Sequence, residues 1–119
     1  MTKIEKYDIV LSVHQLELVQ MTVIHLGLSN PALYDGLAIE EVAGRLNLTT
    51  PVAEAINLVG RNIEALVASI PAEERGEVTL TGPMAVWSYL IVFHAVVHKF
   101  KAVYYDDGRT GPVLVAKHG

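Results

Sequence analysis

The carboxyl-terminal third of the chain holds a strand, a glycine-proline turn, an apolar helix and a second strand in direct succession. Residues 77–80 predict the first strand, which enters a turn made of Thr81, Gly82 and Pro83. Residues 84–100 are mostly apolar and predict a buried helix, since the apolar run is too short to span a bilayer. Residues 102–105 predict the second strand. Two strands joined through a helix lie parallel in one sheet, so this order predicts an α/β fold.

Upstream of this unit, the pattern predicts two strands, a loop and a helix. Apolar and polar residues alternate across residues 6–26, with a weak turn at His14 and Gln15 between two strands. Residues 27–36 contain glycine, asparagine and proline and predict a loop. Four apolar residues then recur at helical spacing and predict the first helix: Ile39, Val42, Ala43 and Leu46.

A second helix is predicted from Thr50, as its N-cap, and Pro51, at its first helical position, to about residue 70. Residues 71–76 are a polar break. At the end of the chain, residues 106–111 predict a turn and residues 113–116 a last strand.

Length and composition indicate one globular domain over residues 1–119. Apolar residues make up 51% of the chain and charged residues 18%, which excludes a disordered protein. The chain has no cysteine and does not open with a signal-peptide pattern, so we expect a cytoplasmic protein with no thiolate metal site. Residues 1–80 carry five Lys/Arg against eleven Asp/Glu, and residues 81–119 carry four against two. This balance argues against long duplex DNA as a partner and permits a small, multiply charged anion.

The glycine-proline turn is the first candidate site. A strand that ends in Gly82 and Pro83 and feeds a helix directs free backbone N–H groups and the positive end of the helix dipole at one point. Gly82 permits close approach of a ligand, Thr81 adds a hydroxyl, and Met84 opens the helix. These four residues form the candidate ligand-binding set. The alternative is an ordinary strand-to-helix turn.

Two histidines and the following turn form the second candidate site. His94 and His98 share one helical face, which fits two ligands of one metal or two hydrogen-bonded histidines of a core or interface. Asp107 is expected at the edge of the sheet near Gly82, whereas the end of the helix lies toward the opposite edge. A composite site is therefore expected to need a second subunit. Arg109 suits a phosphate through its planar guanidinium, or is a solvated charge at a turn.

Together these residues resemble the small CRISPR-associated ring nucleases of the Csx type. That family reads roughly as Gly-Pro, an apolar helix with two histidines, an apolar strand, Asp-Pro-Lys/Arg-Leu-Gly, and a valine-rich strand ending at a histidine. The match covers about a third of the chain and runs through Gly82, Pro83, His94, His98, Ala102, Val103, residues 107–111, residues 113–115 and His118. Gly108 and Thr110 depart from the family turn, and residues 28–49 look like an insertion.

The resemblance implies a single-domain, Rossmann-like fold of the CRISPR-associated Rossmann-fold group, a mixed sheet with flanking helices. It implies a homodimer or higher homo-oligomer that binds cyclic tetra-adenylate, the second messenger of type III CRISPR antiviral defence, and cleaves this small RNA as a phosphodiesterase supported by manganese. On that basis His98, Asp107 and Arg109 are the catalytic residues. His94, His98 and Asp107 are the metal ligands.

Three other functions are kept as alternatives. A sensor or sponge would bind the cyclic or short oligoadenylate without cutting it. A structural protein would use residues 84–100 as a dimer seam. A helix-turn-helix regulator would use residues 39–49 and the following helix, although that helix has Arg61 as its only cation beside Glu54 and Glu64. We expect no membrane partner.

Overall fold

A computed structural model of the chain describes residues 21–118, which form six strands and two α-helices. The elements, in chain order, are β1 (Met21–His25), β2 (Ile39–Val42), β3 (Arg45–Leu48), α1 (Val52–Ala68), β4 (Glu77–Thr81), α2 (Val86–Val97), β5 (Ala102–Asp106) and β6 (Val113–Lys117). A short 3-10 helix, Ala72–Glu74, lies in the predicted polar break. Neither helix in this part of the chain has the length and apolar character needed to cross a bilayer.

Four strands form one mixed sheet in the order β1-β4-β5-β6. β1 pairs with β4 and β4 with β5 in parallel, whereas β5 and β6 are antiparallel. The predicted α/β class and the parallel pair around α2 are therefore confirmed. A separate two-stranded sheet, β2-β3, lies in the connection between β1 and α1.

The two helical connections cross the sheet in the same direction, from β1 to β4 and from β4 to β5, so right-handed crossovers place both helices on one face. In α1, buried residues recur every fourth position, at Ala55, Val59, Ile63 and Val67, and this spacing gives one apolar stripe. α2 is apolar nearly all round, so it buries some residues and leaves others exposed. The stripe of α1 and the buried side of α2, with Val92 and Val96, share one core with Leu26, just after β1, and with four strand residues: Ile24, Val78, Leu80 and Val103.

The predicted helix over residues 39–46 is wrong, because these residues form the β2–β3 hairpin. Its two turn residues, Ala43 (φ 53°) and Gly44 (φ 78°), both adopt the left-handed conformation, as in the tight turns that join antiparallel strands. Ile39 pairs with Leu48 and Val42 with Arg45. The helix-turn-helix interpretation loses its first helix as a result.

The bounds of the two helices also differ from the prediction. Thr50 is not the N-cap of α1, because its Oγ1 accepts a hydrogen bond from the N–H of Ala38 (2.7 Å) and Pro51 takes the cap position. α2 begins two residues later than predicted, since Ala85 is extended (ψ 155°), and it ends at Val97. The strand and turn predicted within residues 6–20 lie outside the described residues.

Candidate functional site

The three parallel strands end side by side at one edge of the sheet, here called the carboxyl edge. His25 of β1 is in register with Thr81 of β4, and Thr81 with Asp106 of β5. In open α/β sheets, ligands bind outside the carboxyl ends of parallel strands. Two adjoining cavities lie at this edge, and Pro83 lines both of them.

The first, the carboxylate cavity, has a volume of about 320 Å³. It is lined by Thr81, Gly82, Pro83, Tyr105, Asp106, Asp107 and Gly108. Thr81 Oγ1 donates to the carbonyl of Asp106 (2.8 Å), and Tyr89 of α2 donates to the carbonyl of Gly82 (2.5 Å). These bonds fix the glycine-proline turn beside the Asp107 turn. The structure therefore brings three of the four predicted ligand-binding residues together with Asp107.

Asp107 is held by its own turn. Its Oδ1 accepts hydrogen bonds from the backbone N–H groups of Arg109 (2.8 Å) and Thr110 (3.0 Å) and from the Thr110 hydroxyl (3.3 Å). The backbone bond from Thr110, followed by that from Arg109, lowers the pKa of this fully exposed carboxyl. Gly108 (φ 83°) supplies the left-handed conformation that the reversal needs. Asp107 is thus a preorganised anion, and Arg109 lies exposed at the turn beside it.

The predicted histidines lie at the opposite end of the sheet. The rings of His94 and His98 have centroids 5.4 Å apart, and His118 brings a third ring to 6.3 Å from His98. His118 follows β6, and its N–H donates to the carbonyl of Lys101 just before β5 (2.6 Å). All three rings belong to exposed residues. We call them the histidine cluster.

The predicted manganese ligands do not come together within one chain. β5 separates the histidine cluster from Asp107, and its five residues span about 13 Å at the usual rise of a strand. No group of three His, Asp or Glu side chains within residues 21–118 is arranged to hold a metal ion. One copy of the chain, in its described part, therefore does not fit the predicted metal set.

The second cavity at the carboxyl edge contains residues that the sequence did not single out. This imidazole cavity has a volume of about 360 Å³ and is lined by His25, Gly27, Leu28, Ser29, Arg45, Leu46, Pro83 and Met84. The His25 ring lies between two glycines: a Cβ added to Gly27 or Gly82 would come within 2.8 or 2.9 Å of its Cε1. The remaining predicted ligand-binding residue, Met84, therefore lines this cavity rather than the carboxylate cavity.

Side-chain hydrogen bonds to backbone carbonyls hold the loop that follows β1 in place. Asn30 donates its side-chain amide to the carbonyl of His25 (2.8 Å). The buried hydroxyl of Tyr34 donates to the carbonyl of Leu26 and lies 2.9 Å from the hydroxyl of Ser88 in α2. Burial raises the pKa of Tyr34, so this phenol stays a donor. The position of His25 and Gly27 is therefore coupled to the core beneath α2.

Comparison with known proteins identifies no relative of this chain. No protein-family model matches the sequence, and the searches of curated proteins and of solved structures return no significant match.

Proposed function

We propose that this protein binds cyclic tetra-adenylate and cleaves it as a phosphodiesterase, in an assembly of two or more copies. The observation that supports this best is the position of the residues that resemble the ring nucleases. They occupy two exposed ends of one sheet, with Asp107 and Arg109 at the carboxyl edge and the histidine cluster at the other end. Within residues 21–118, neither end is complete as a site for phosphodiester cleavage.

A second copy resolves the separation. In a symmetric assembly, the carboxyl edge of one copy meets the histidine cluster of another, and the same contact recurs for each copy. A cyclic ligand with repeating phosphates offers equivalent groups to equivalent sites. The proposed homo-oligomer is thus part of the active site rather than an addition to it.

The roles of the residues follow from their chemistry. The ribose 2′-oxygen attacks the adjacent phosphorus, the bond from phosphorus to the 5′-oxygen breaks, and a 2′,3′-cyclic phosphate and a 5′-hydroxyl result. His98 accepts the proton of the 2′-hydroxyl, and water protonates the leaving 5′-oxygen. Arg109 stabilises the negative charge that develops on the phosphate oxygens. Asp107 fixes the turn that presents Arg109 and supplies a carboxylate next to the reacting ribose.

An apolar groove between α2 and β6 supports self-association. It has a volume of about 290 Å³ and is lined by Leu80, Tyr89, Leu90, Phe93, Tyr105 and Val115. Leu90 is 63% exposed, and Val86, one turn earlier in α2, is 72% exposed. Exposed apolar surface of this kind marks protein interfaces. We propose that it forms the contact between copies, and Leu90→Glu should then yield monomers in sedimentation experiments.

We further propose that the fold is a reduced Rossmann-like one. Support comes from the three parallel strands, their helical connections and the cavities at their carboxyl edge. The described helices cover one face of the sheet, whereas a full doubly wound fold covers two.

The test is incubation of the protein with cyclic tetra-adenylate, with and without Mn²⁺, followed by product analysis. We expect a linear product with a cyclic phosphate end from the wild type and its loss in His98→Ala and Asp107→Ala. Glu73→Ala, which removes an exposed carboxylate on the 3-10 helix, is the matched control. An intact ring at stoichiometric protein contradicts cleavage.

The separation of the two ends within one chain favours one other function, ring binding without cleavage. A sponge would hold the ring at the carboxyl edge and leave the histidines unused. The result that assigns this function is tight binding of an uncut ring by the wild type and by His98→Ala alike.

A further inference from the structure

We infer that the imidazole cavity is a binding site for a nucleoside monophosphate, in which Arg45 and His25 hold the phosphate and an apolar wall holds the base. The site lies on the other side of Pro83 from the carboxylate cavity. It uses neither Asp107 nor the histidine cluster. It is therefore a function beyond ring cleavage and is testable separately.

Charge is the first argument. The chain as a whole is acidic, with a net charge of −4, yet none of the eight residues that line this cavity is acidic. Two of them, Arg45 and His25, present nitrogen donors. A guanidinium binds phosphate oxygens through two parallel N–H groups and remains charged at any physiological pH. The lining of the cavity thus suits an anion.

The orientation of the imidazole is the second argument. The N–H of Gly27 donates to His25 Nδ1 at 3.2 Å, so Nδ1 is an acceptor and the neutral ring carries its proton on Nε2. The ring can occupy this position because both of its neighbours are glycines. A Cβ on either glycine would overlap it. His25 is therefore a donor in a defined orientation, which is what recognition of a phosphate oxygen requires.

The remaining walls suit a nucleoside. Leu28, Leu46, Pro83 and Met84 provide an apolar surface, and Ser29 provides one hydroxyl. A volume of about 360 Å³ lies at the small end of ligand sites, which fits one nucleotide and excludes a ring of four. Arg45 and Leu46 come from the hairpin within the predicted insertion. The insertion would therefore have a defined role, which is to close this cavity.

The experiment is a titration of the ¹⁵N-labelled protein with adenosine 5′-monophosphate, adenosine and inorganic phosphate, followed by NMR. We expect the monophosphate to shift the amides of Gly27, Gly82 and Leu46 and to bind more tightly than either fragment. Equal affinity for inorganic phosphate and the monophosphate would overturn a nucleotide site. So would shifts confined to residues 107–110.

Variants separate the contributions. Arg45→Ala should lower the affinity for the monophosphate by about tenfold or more, which is the usual contribution of one charged hydrogen-bonding partner. His25→Asn keeps an acceptor for the Gly27 N–H and removes the Nε2 donor, while Gly27→Ala keeps the imidazole and displaces it. Both should weaken binding with little change in stability, because His25 is exposed and the nearest neighbours of a Cβ on the buried Gly27 are side-chain atoms of His25 and Pro83. Gly76→Ala, where an added Cβ meets nothing within 4 Å, is the control. Unchanged affinity in Arg45→Ala would refute the site.

Discussion

The two ends of the main sheet are built in different ways. At the carboxyl edge, backbone groups fix the chemistry: Asp107 accepts two backbone N–H groups, His25 accepts one, and Gly82 holds a left-handed turn between them. At the other end, three histidines share an exposed surface through ring contacts, and His118 is also held by its backbone bond to Lys101. The carboxyl edge is therefore preorganised by the fold. The proposed assembly would give the histidine cluster a defined geometry through contact with a second copy of the chain.

The largest expected effect is on ring cleavage, when a residue at one end of the sheet is substituted in one copy and a residue at the other end in a second copy. Asp107→Ala and His98→Ala should each lower the rate of ring cleavage by about a hundredfold or more. If a site takes Asp107 from one copy and His98 from another, equal mixing makes half of the dimers hybrids. Each hybrid has one intact and one doubly altered site, so hybrids isolated from the mixture should recover about half of the wild-type rate.

The measurement is the cleavage rate of the two variants co-expressed with different tags and purified through both. The double variant Asp107→Ala/His98→Ala, mixed with wild type, is the control, because its hybrids contain no intact site. If the purified hybrids cleave the ring no faster than the single variants, Asp107 and His98 of the same copy act together, and the shared site is refuted.

Gly82→Ala tests how strongly the backbone determines the carboxyl edge. At φ 107° an alanine is strained, and its Cβ would lie 3.1 Å from the backbone nitrogen of Gly27 as well as against the His25 ring. We expect a loss of about 1–3 kcal/mol in the free energy of unfolding, measured by urea denaturation, and loss of ligand binding at both cavities. Gly76→Ala should change stability by less than about 0.5 kcal/mol. Equal stability of the two variants would show that the turn is not strained by a side chain.

The sequence predicts one of these two ends better than the other. The β4-α2-β5 unit follows from local signals, namely an apolar run between two strands and a glycine-proline turn. Parallel pairing then places Asp107 beside Gly82, as found. It also predicts that His94 and His98 lie away from that edge. These conclusions need no contact between distant segments.

The imidazole cavity could not be predicted, because its residues meet through long-range pairing. His25 reaches Gly82 only because β1 pairs with β4. Arg45 lies on the β2–β3 hairpin, whereas the spacing of Ile39, Val42 and Leu46 predicts a helix there. Gly44 is the local signal for the hairpin. It does not suffice to predict the turn, because Ala43 precedes it and alanine seldom occupies the first position of such a turn.

Ala43→Asn should stabilise the hairpin that closes the imidazole cavity. Asparagine tolerates the left-handed conformation better than alanine, and Asn-Gly is a preferred pair for this turn. We expect a gain of about 0.5–1 kcal/mol, measured as a rise in the midpoint of urea unfolding. The matched variant Gly44→Ala (φ 78°), with no atom within 4 Å of its Cβ, should lose a similar amount through the backbone alone. The NMR signals of the histidine cluster should stay unchanged in both, and movement there would couple the two ends.

The smallest expected effect is the pH response of the Asp107 turn. Backbone hydrogen bonds lower the pKa of Asp107 below its ordinary value of 3.8, so the folded turn favours the charged carboxylate. The stabilisation is fully present above pH 3.8 and disappears as the pH falls through the lowered pKa. In an NMR titration, the amide protons of Arg109 and Thr110 should therefore move together with the Asp107 carboxyl carbon, with a midpoint below 3.8. Asp107→Asn keeps an acceptor oxygen without the charge and should abolish this response while the turn persists. A midpoint at or above 3.8 would mean that the turn does not preorganise the carboxylate. At Asp107, the carboxyl edge would then be no better defined by the backbone than the histidine cluster is.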